Sequence, residues 1–355
     1  MSSAPVALTL EVLPRARVDA IDITSRVAAA DGDLLRRYSR ALYFSYHTTA
    51  GYLEPGLAAR LRRGRSGLGP YLELFRTLFP PDADYQHDQL HLRAELSAEQ
   101  RRSEPRNADS HLAFIGSGLR SCVTTANAPE RPVFLIDLDG VTAGGQRRRR
   151  TTVVAFHRER LVERLRLEVP VSAHPIDSVN LRDPRLGLYE ELGALVARAG
   201  VAKGRIRVAL AAGERQAGLT VNEYETLLMR HDLAEVLRNP LRFMAEKGRH
   251  MLQDPRAIPA KTIEYAKYDL VRVVNRLLDA LGMSESMVEQ AVARFMAFPA
   301  SRFLRMKRAV HLLVADEADG QAAIRQGPYQ SPILVQWNKA TGGSRQLDVT
   351  LTEFS

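Results

Sequence analysis

The apolar residues of this 355-residue chain change their period along its length. In the first part they alternate with polar residues, over Val6 to Val12, Val18 to Thr24 and Leu42 to Tyr46. Alternation predicts half-buried strands, because successive side chains of a strand point to opposite faces. Val133 to Asp139 and Arg164 to Pro170 are two further predicted strands. This part of the chain is therefore expected to form β-sheet.

The second part has a helical period. Apolar residues from Ile263 to Leu281 recur at three- and four-residue spacing. Similar runs lie over about 220–239 and over 284–298. Apart from one strand at Arg205 to Leu210, the region from 184 to 318 is therefore predicted to be helical.

The tail returns to alternation. Ile333 to Trp337 and Leu347 to Phe354 flank Thr341-Gly342-Gly343, which predicts a β-hairpin. The predicted organisation is an α+β domain of β-sandwich type over 1–175, a mostly helical domain over 176–325 and a β tail over 326–355 that packs on the first domain. No internal repeat is evident in the sequence.

Composition narrows the classes of protein. With 45% apolar and 26% charged residues the chain is globular, which excludes wholesale disorder and collagen-like or coiled-coil arrays. A formal charge of +9 allows an anionic partner, such as a phosphorylated metabolite, nucleic acid or acidic lipid. Much of the excess positive charge comes from arginine, which binds phosphate well but is also frequent in proteins encoded by GC-rich genomes.

The chain contains one cysteine, Cys122, which excludes an internal disulfide and a cysteine-based zinc site. The start of the sequence has no leader pattern, and no apolar stretch approaches the roughly 18–20 residues that cross a bilayer. A cytoplasmic protein without membrane contact is expected.

Two polar clusters are candidates for chemistry. A predicted strand ends at His47-Thr48-Thr49, and Tyr85-Gln86-His87-Asp88 is followed by a segment that ends in His111. Three imidazoles with one open position form the site in which zinc activates water or polarises an oxygen. The alternatives are ordinary turn chemistry at His47 and an exposed helix face at His87.

Four consecutive arginines, Arg147 to Arg150, form a third candidate. On a strand they alternate between faces, so at most two can reach one pocket. A solvated loop end is the competing interpretation. Nucleic-acid binding is disfavoured, since aromatic residues are only 6% of the chain and no stacking platform is evident.

Six motifs occur in order along the first half of the chain. They are Asp22-Ile23-Thr24, His47-Thr48-Thr49-Ala50 with a Glu-Pro pair shortly after, Tyr85-x-His87, Asn107-x-Asp109-x-His111, Gly116, and Leu138-Asp139-Gly140 before an arginine-rich strand. This combination resembles the YjbQ family, also called secondary thiamine-phosphate synthases. The resemblance covers about residues 5 to 157.

The resemblance implies a compact α+β domain that assembles as a trimer and holds its histidines around a metal or anion. The implied metal ligands are His47, His87 and His111. The implied catalytic residues are Glu54, Asp109 and Thr48. The implied substrate- or anion-binding residues are Thr49, Asn107, Ser117, Arg147 and Arg149.

The chain also departs from the family. Where the family has a Gly-Thr-Trp-Gln segment, this sequence has 126–132, and a polar insertion lengthens the region around 90–106. The helical half has no counterpart, so it is expected to cap the site, alter specificity or mediate assembly. These departures indicate that the substrate has changed.

The function implied is a metal-dependent transferase or hydrolase that acts on a small anionic or phosphorylated metabolite in biosynthesis. Zinc is the expected metal, with magnesium if pyrophosphate is the leaving group. Glu54 or Asp109 would move a proton. The alternative is a non-catalytic binding or scaffold protein for an anion or nucleic acid on the same fold.

Overall fold

A computed structural model describes residues 4–63, 67–128, 131–142, 144–238, 243, 306–316 and 322–355. The helices predicted over 263–281 and 284–298 lie outside these residues. The chain forms two compact units, each built from separate stretches of sequence. The sheet unit comprises 1–54, 118–224 and 306–355, and the helical unit comprises 55–117 and 225–305.

The first strands of the sheet unit form two larger antiparallel sheets and one separate pair of short strands. The elements are β1 (Val6–Val12), β2 (Asp19–Asp22), α1 (Ile23–Ala30), α2 (Leu34–Arg37), β3 (Arg40–Ser45), β4 (Ala50–Tyr52), β5 (Cys122–Ala126), β6 (Phe134–Asp137), β7 (Val141–Thr142), β8 (Gly145–Gln146) and β9 (Arg149–Phe156). One larger sheet has the order β1-β9-β3-β5, the other has the order β2-β6-β4, and the short strand β7 pairs with β8. Tyr43 and Val153 of the first sheet share a buried core with Leu135 of the second and Val27 of α1. This is the predicted sandwich arrangement.

Among its described residues, the helical unit contains α3 (Pro55–Arg63), α4 (Leu68–Leu78), α5 (Ala98–Ser103), α6 (Ala108–Gly116), a π-helical turn (Leu228–Asp232) and the short helix α8 (Leu233–Arg238). The polar insertion of the sequence includes α5. Ser97 and Gln100 form a capping box at the start of α5. Arg93 is buried and pairs with Glu95 at 2.8 Å and with Glu104 at 2.9 Å. Within the described residues, no helix is long and apolar enough to span a membrane.

The remaining strands of the sheet unit form a second pair of sheets. The elements are β10 (Glu159–Pro170), β11 (Asp177–Asn180), α7 (Leu188–Ala199), β12 (Lys203–Leu210), β13 (Ala217–Asn222), β14 (Ala309–Asp316), β15 (Ala322–Arg325), β16 (Ser331–Gln336) and β17 (Ser344–Phe354). Their orders are β10-β17-β12-β14-β15 and β11-β16-β13. Ile206 and Val349 of the first of these sheets share a buried core with Leu219 and Leu334 of the second and with Leu192 of α7.

The strand order of the second half repeats that of the first. The order β1-β9-β3-β5 corresponds to β10-β17-β12-β14, and β2-β6-β4 corresponds to β11-β16-β13. In both halves a helix follows the second strand, and the helical unit receives its segments between β4 and β5 and between β13 and β14.

The strand register repeats as well. Ala50 of β4 lies opposite Asp137, and Ala217 of β13 lies opposite Gln336 at the corresponding place. We call β1 to β9 the first repeat and β10 to β17 the second repeat. The repeat, which is not evident in the sequence, is therefore present in the strand order of the fold. Backbone hydrogen bonds and alternation define this duplication, and both survive when side-chain identities change.

The two repeats pack on each other within the sheet unit. Phe44, Phe156 and Leu313 belong to one buried apolar cluster together with Phe354. The rings of Phe156 at the end of β9 and Phe354 at the end of β17 are stacked, with 4.0 Å between their centroids. Corresponding strands of the two repeats thus meet at equivalent ends.

Two segments of the predicted helical region are strands, namely β13 and β14. Every residue of β13 is buried, so its apolar residues show no alternation. A short apolar run of this kind cannot be assigned to strand or helix from its period alone.

The two strands predicted in the tail form, but they do not make a hairpin. β16 pairs with β11 and β13, whereas β17 pairs with β10 and β12. The turn between them contains Gly342 with a φ of 83° and Gly343 with a φ of 75°. The chain thus crosses from one sheet to the other. The predicted division into three domains stays a prediction.

Close backbone approach in β12 gives a test of the second repeat. A Cβ atom on Gly204 would lie 2.1 Å from the carbonyl oxygen of Thr352. We expect Gly204→Ala to lower the free energy of unfolding by about 1–3 kcal/mol, because the strands must separate. Gly193→Ala in α7 is the control, since its Cβ meets open space and alanine favours the helix by about 0.5–1 kcal/mol. Urea denaturation measures both, and equal effects would contradict the strand pairing.

Candidate functional site

A buried ion pair joins the two sheets of the first repeat. Arg149 at the start of β9 donates from Nε to Oδ2 of Asp137 at 2.6 Å and from Nη2 to Oδ1 at 2.7 Å. The side chains are 3% and 0% exposed. Nη2 also donates to the carbonyl oxygen of Asp139 at 2.7 Å. Bidentate pairing of this kind fixes geometry as well as charge.

His47 lies in the turn after β3. Its Nε2 accepts a hydrogen bond from the backbone N–H of Arg150 at 2.7 Å. A neutral imidazole that accepts at Nε2 carries its proton on Nδ1. Burial, followed by the charges of Arg149, Arg147 and Arg150, lowers the pKa of His47 to about 3. His47 is therefore neutral and presents an Nδ1–H donor.

This environment suits an anion. The guanidinium of Arg150 lies 4.0 Å from the ring centroid of Tyr46, and its side chain is exposed. Arg147 pairs with Asp139. Metal binding through Nε2 of His47 would require the hydrogen bond from Arg150 to open. Of the three arginines whose charges lower the pKa of His47, Arg150 is the exposed one, since Arg149 is buried and Arg147 is half-buried.

The other predicted residues of the sheet unit have defined contacts. Thr49 is buried, with Oγ1 3.4 Å from Nη2 of Arg149. The carbonyl oxygen of Thr48 accepts from Nδ2 of Asn222 at 3.1 Å. Glu54 is exposed and pairs with Arg120 at 3.2 Å.

In the helical unit, His87 is buried and held by its neighbour. Its Nδ1 lies 2.9 Å from Oδ1 of Asp88, and the same oxygen accepts from the backbone N–H of Ala108 at 3.1 Å. Asp232 accepts from the backbone N–H groups of Gln86 and His87, both at 3.0 Å. The Nε2 atom of His87 is buried and has no hydrogen-bond partner within the described part of the chain.

His111 lies on α6 beside His87, with 5.4 Å between the ring centroids. Burial alone would lower the pKa of His87, but the hydrogen bond and charge of Asp88 outweigh it and raise the pKa. Asp109 and Asn107 are also buried at the start of α6. Ser117 at its end donates from Oγ to the carbonyl oxygen of Phe114 at 3.4 Å.

The predicted residues therefore fall into two groups. His87 and His111 belong to the helical unit, whereas His47 belongs to the sheet unit. Among the residues that the structure describes, no group of three or more His, Cys, Asp or Glu side chains is placed to hold a metal ion. The three-histidine site stays a prediction.

The sequence interpretation did not assign Asp137, Asp88 or Gln330 to a site. Asp137 ends a strongly apolar strand, and Asp88 directly follows His87, so both positions carried a signal. Gln330 donates from Nε2 to the carbonyl oxygens of Ser45 at 2.8 Å and His47 at 2.9 Å. No local pattern indicates a contact across so long a sequence separation.

Comparison with known proteins gives structural matches alone. No family model and no curated protein matches the chain. A YbjQ-like protein of unknown function from Sulfolobus solfataricus P2 is 14% identical with a TM-score of 0.29, covering 55% of this chain and 99% of its own. A hypothetical protein from Aeropyrum pernix K1 is 15% identical with a TM-score of 0.29, covering 53% and 97%.

A third match is an uncharacterized conserved protein of the YjbQ/UPF0047 family from Clostridium acetobutylicum. It is 12% identical with a TM-score of 0.27 and covers 53% of this chain and 98% of its own. The chain thus matches YjbQ-family structures over about 55% of its length, and the rest has no match. At these identities and TM-scores, nothing about activity follows.

Removing one charge of the buried pair should lower the free energy of unfolding more than removing one charge of a surface pair. Asp137→Asn leaves Arg149 buried beside a neutral partner, and we expect a loss of about 3–5 kcal/mol in the free energy of unfolding. Asp348→Asn is the control, because Asp348 pairs with Arg166 at 2.8 Å on the surface and should cost less than about 1 kcal/mol. Urea denaturation at pH 7 compares them. Similar losses in both variants would show that Asp137 and Arg149 do not form a buried pair.

The neutral state of His47 predicts a pH dependence. Its folded pKa of about 3 lies below the ordinary value of 6.5, so the unfolded chain takes up the proton first as pH falls. The contribution of His47 to stability is present above pH 6.5 and is lost toward pH 3, by at most about 1.4 kcal/mol per pH unit. Between about pH 7 and pH 4.5 the wild type should lose about 2–3 kcal/mol more than His47→Gln. Identical pH profiles of urea denaturation would rule this out.

Proposed function

We propose that the protein is a metal-dependent enzyme that acts on a small anionic or phosphorylated metabolite. One observation carries the proposal: Nε2 of His87 is buried without a hydrogen-bond partner in the described part of the chain, while Nδ1 contacts Asp88. A carboxylate that holds one ring nitrogen fixes the tautomer and directs the other nitrogen toward a metal. A buried polar atom left without a partner costs about 1–3 kcal/mol, so a bound ion would stabilise this arrangement.

The donor chemistry favours zinc. His87 and His111 offer imidazole nitrogens, which zinc accepts readily, whereas magnesium prefers oxygen ligands. A metal held by these two residues would supply a Lewis acid for a substrate oxygen. Asp109 precedes His111 on α6 and is the proposed proton carrier. Assembly as a homo-oligomer, a trimer by resemblance, belongs to this proposal.

A second candidate function, binding of an anion without catalysis, is favoured by the surroundings of His47. A neutral imidazole with Nδ1–H lies among three arginines there. Arg150 is exposed and can contact a phosphate or carboxylate from solvent. This candidate needs no metal and depends on residues of the sheet unit alone.

Metal content tests the proposal. Protein purified without an affinity tag is expected to contain near-stoichiometric zinc by elemental mass spectrometry. His87→Ala and His111→Ala should lose it, and Asp88→Asn should weaken metal affinity by about 10–100-fold. His91→Ala is the matched control, because His91 is exposed and should retain the metal.

A wild-type protein that stays free of metal after incubation with zinc would overturn the metal site. Equal metal content in His87→Ala and His91→Ala would do the same. Pyrophosphate binding that persists in metal-free protein and is lost in His47→Ala would then support the anion-binding candidate.

A further inference from the structure

The two repeats carry corresponding buried arginines. Arg149 in β9 and Arg345 in β17 occupy the same register position, because the residues two places later, Thr151 and Leu347, pair with the last residues of β3 and β12. Nη2 of Arg149 donates to the carbonyl oxygen of Asp139 at 2.7 Å. Nη2 of Arg345 donates to that of Asn338, also at 2.7 Å. Equivalent backbone groups therefore hold both side chains.

His47 also has a counterpart. In the first repeat, the backbone N–H of Arg150 donates to Nε2 of His47 at 2.7 Å. In the second, the backbone N–H of Gln346 donates to Oε1 of Glu214 at 2.8 Å. Arg150 and Gln346 each follow the buried arginine, so Glu214 takes the place of His47.

The exchange changes the charge of the site. Arg345 donates from Nη1 to Oε2 of Glu214 at 2.9 Å, so a carboxylate from the turn itself neutralises it. In the first repeat Asp137 neutralises Arg149, and the turn contributes the imidazole of His47, whose Nε2 accepts from the backbone N–H of Arg150. The second repeat has Gln336 in the position of Asp137. An anion approaching the second repeat would therefore meet Glu214.

Residues of the second repeat contact the turn that carries His47 in the first repeat. Nε2 of Gln330 donates to the carbonyl oxygens of Ser45 and His47, and Gln330 is fully buried. Asn222 donates to the carbonyl oxygen of Thr48. Gly327 passes so close that a Cβ atom would lie 1.8 Å from the carbonyl oxygen of Tyr46. The turn is thus held along its backbone by residues of the second repeat.

We propose that the second repeat supports the anion site of the first repeat, and that Gln330 is the residue that positions the turn that carries His47. At the corresponding place in the second repeat, Glu214 blocks the binding of an anion. This inference rests on the anion site proposed at His47. An unsupported turn would release the backbone carbonyls to other partners, and Nε2 of His47 would lose its alignment with the N–H of Arg150.

The test uses the full chain, with inorganic phosphate and pyrophosphate as probes in calorimetry. We expect Gln330→Met to weaken phosphate binding about tenfold, equivalent to about 1.4 kcal/mol, and to change the Nδ1–H tautomer signature of His47 in ¹⁵N spectra. Gln326→Met is the matched control, because Gln326 contacts Tyr189. Asn222→Ala removes a neighbouring support and serves if Gln330→Met does not fold.

A second pair of variants tests whether phosphate binds at His47 in the first repeat and not at Glu214, the corresponding residue of the second repeat. His47→Ala should abolish phosphate binding, whereas Glu214→Ala should leave the affinity and stoichiometry of phosphate in the first repeat unchanged. Loss of that binding in Glu214→Ala protein that is still folded would overturn the assignment of a single site, and Glu214→Gln serves if Glu214→Ala does not fold.

An unchanged tautomer signature in folded Gln330→Met and Asn222→Ala would overturn the positioning role. If the wild type binds neither probe but both variants change the tautomer of His47, the anion site fails and the positioning role stands. The two failures are therefore distinguishable.

Discussion

The structure of the first repeat depends on the pair between Arg149 and Asp137. It joins β9 of one sheet to β6 of the other, and both side chains are almost fully buried. Breaking such a pair leaves an uncompensated charge in the core, so both partners must stay in place together. The turn that carries His47 is fixed beside it by the backbone N–H of Arg150.

Because the fold is duplicated, the second repeat contains a buried arginine, Arg345, at the place that Arg149 has in the first repeat. Arg345 links β17 to the end of β16 through Gln336, at 3.3 Å, and to Glu214. The position of the arginine is common to both repeats, whereas the position of the carboxylate is not. In the second repeat the carboxylate is on the turn, at Glu214, and not on the strand, where Gln336 replaces Asp137. Arg345 therefore still has a partner, but the turn has no imidazole.

The two histidine environments have opposite chemistry. His47 accepts a hydrogen bond at Nε2 and lies among arginines, which favours an anion and opposes a cation. His87 contacts a carboxylate at Nδ1 and has a buried Nε2 without a partner in the described residues, which is the observation behind the proposed metal site. The resemblance treats these histidines as one ligand set, and their environments distinguish them.

Local patterns predict the strands with clear alternation, such as β1, because alternation can be recognised within a few positions. The candidate residues His47, His87 and His111 follow from the resemblance of several motifs taken together, and their shared role stays a prediction. Only the fold shows in which sheet each of β16 and β17 lies, that Arg149 is buried against Asp137, that the strand order is duplicated, and that Gln330 contacts the turn that carries His47. Each depends on hydrogen bonds between residues far apart in the chain, which no local pattern specifies.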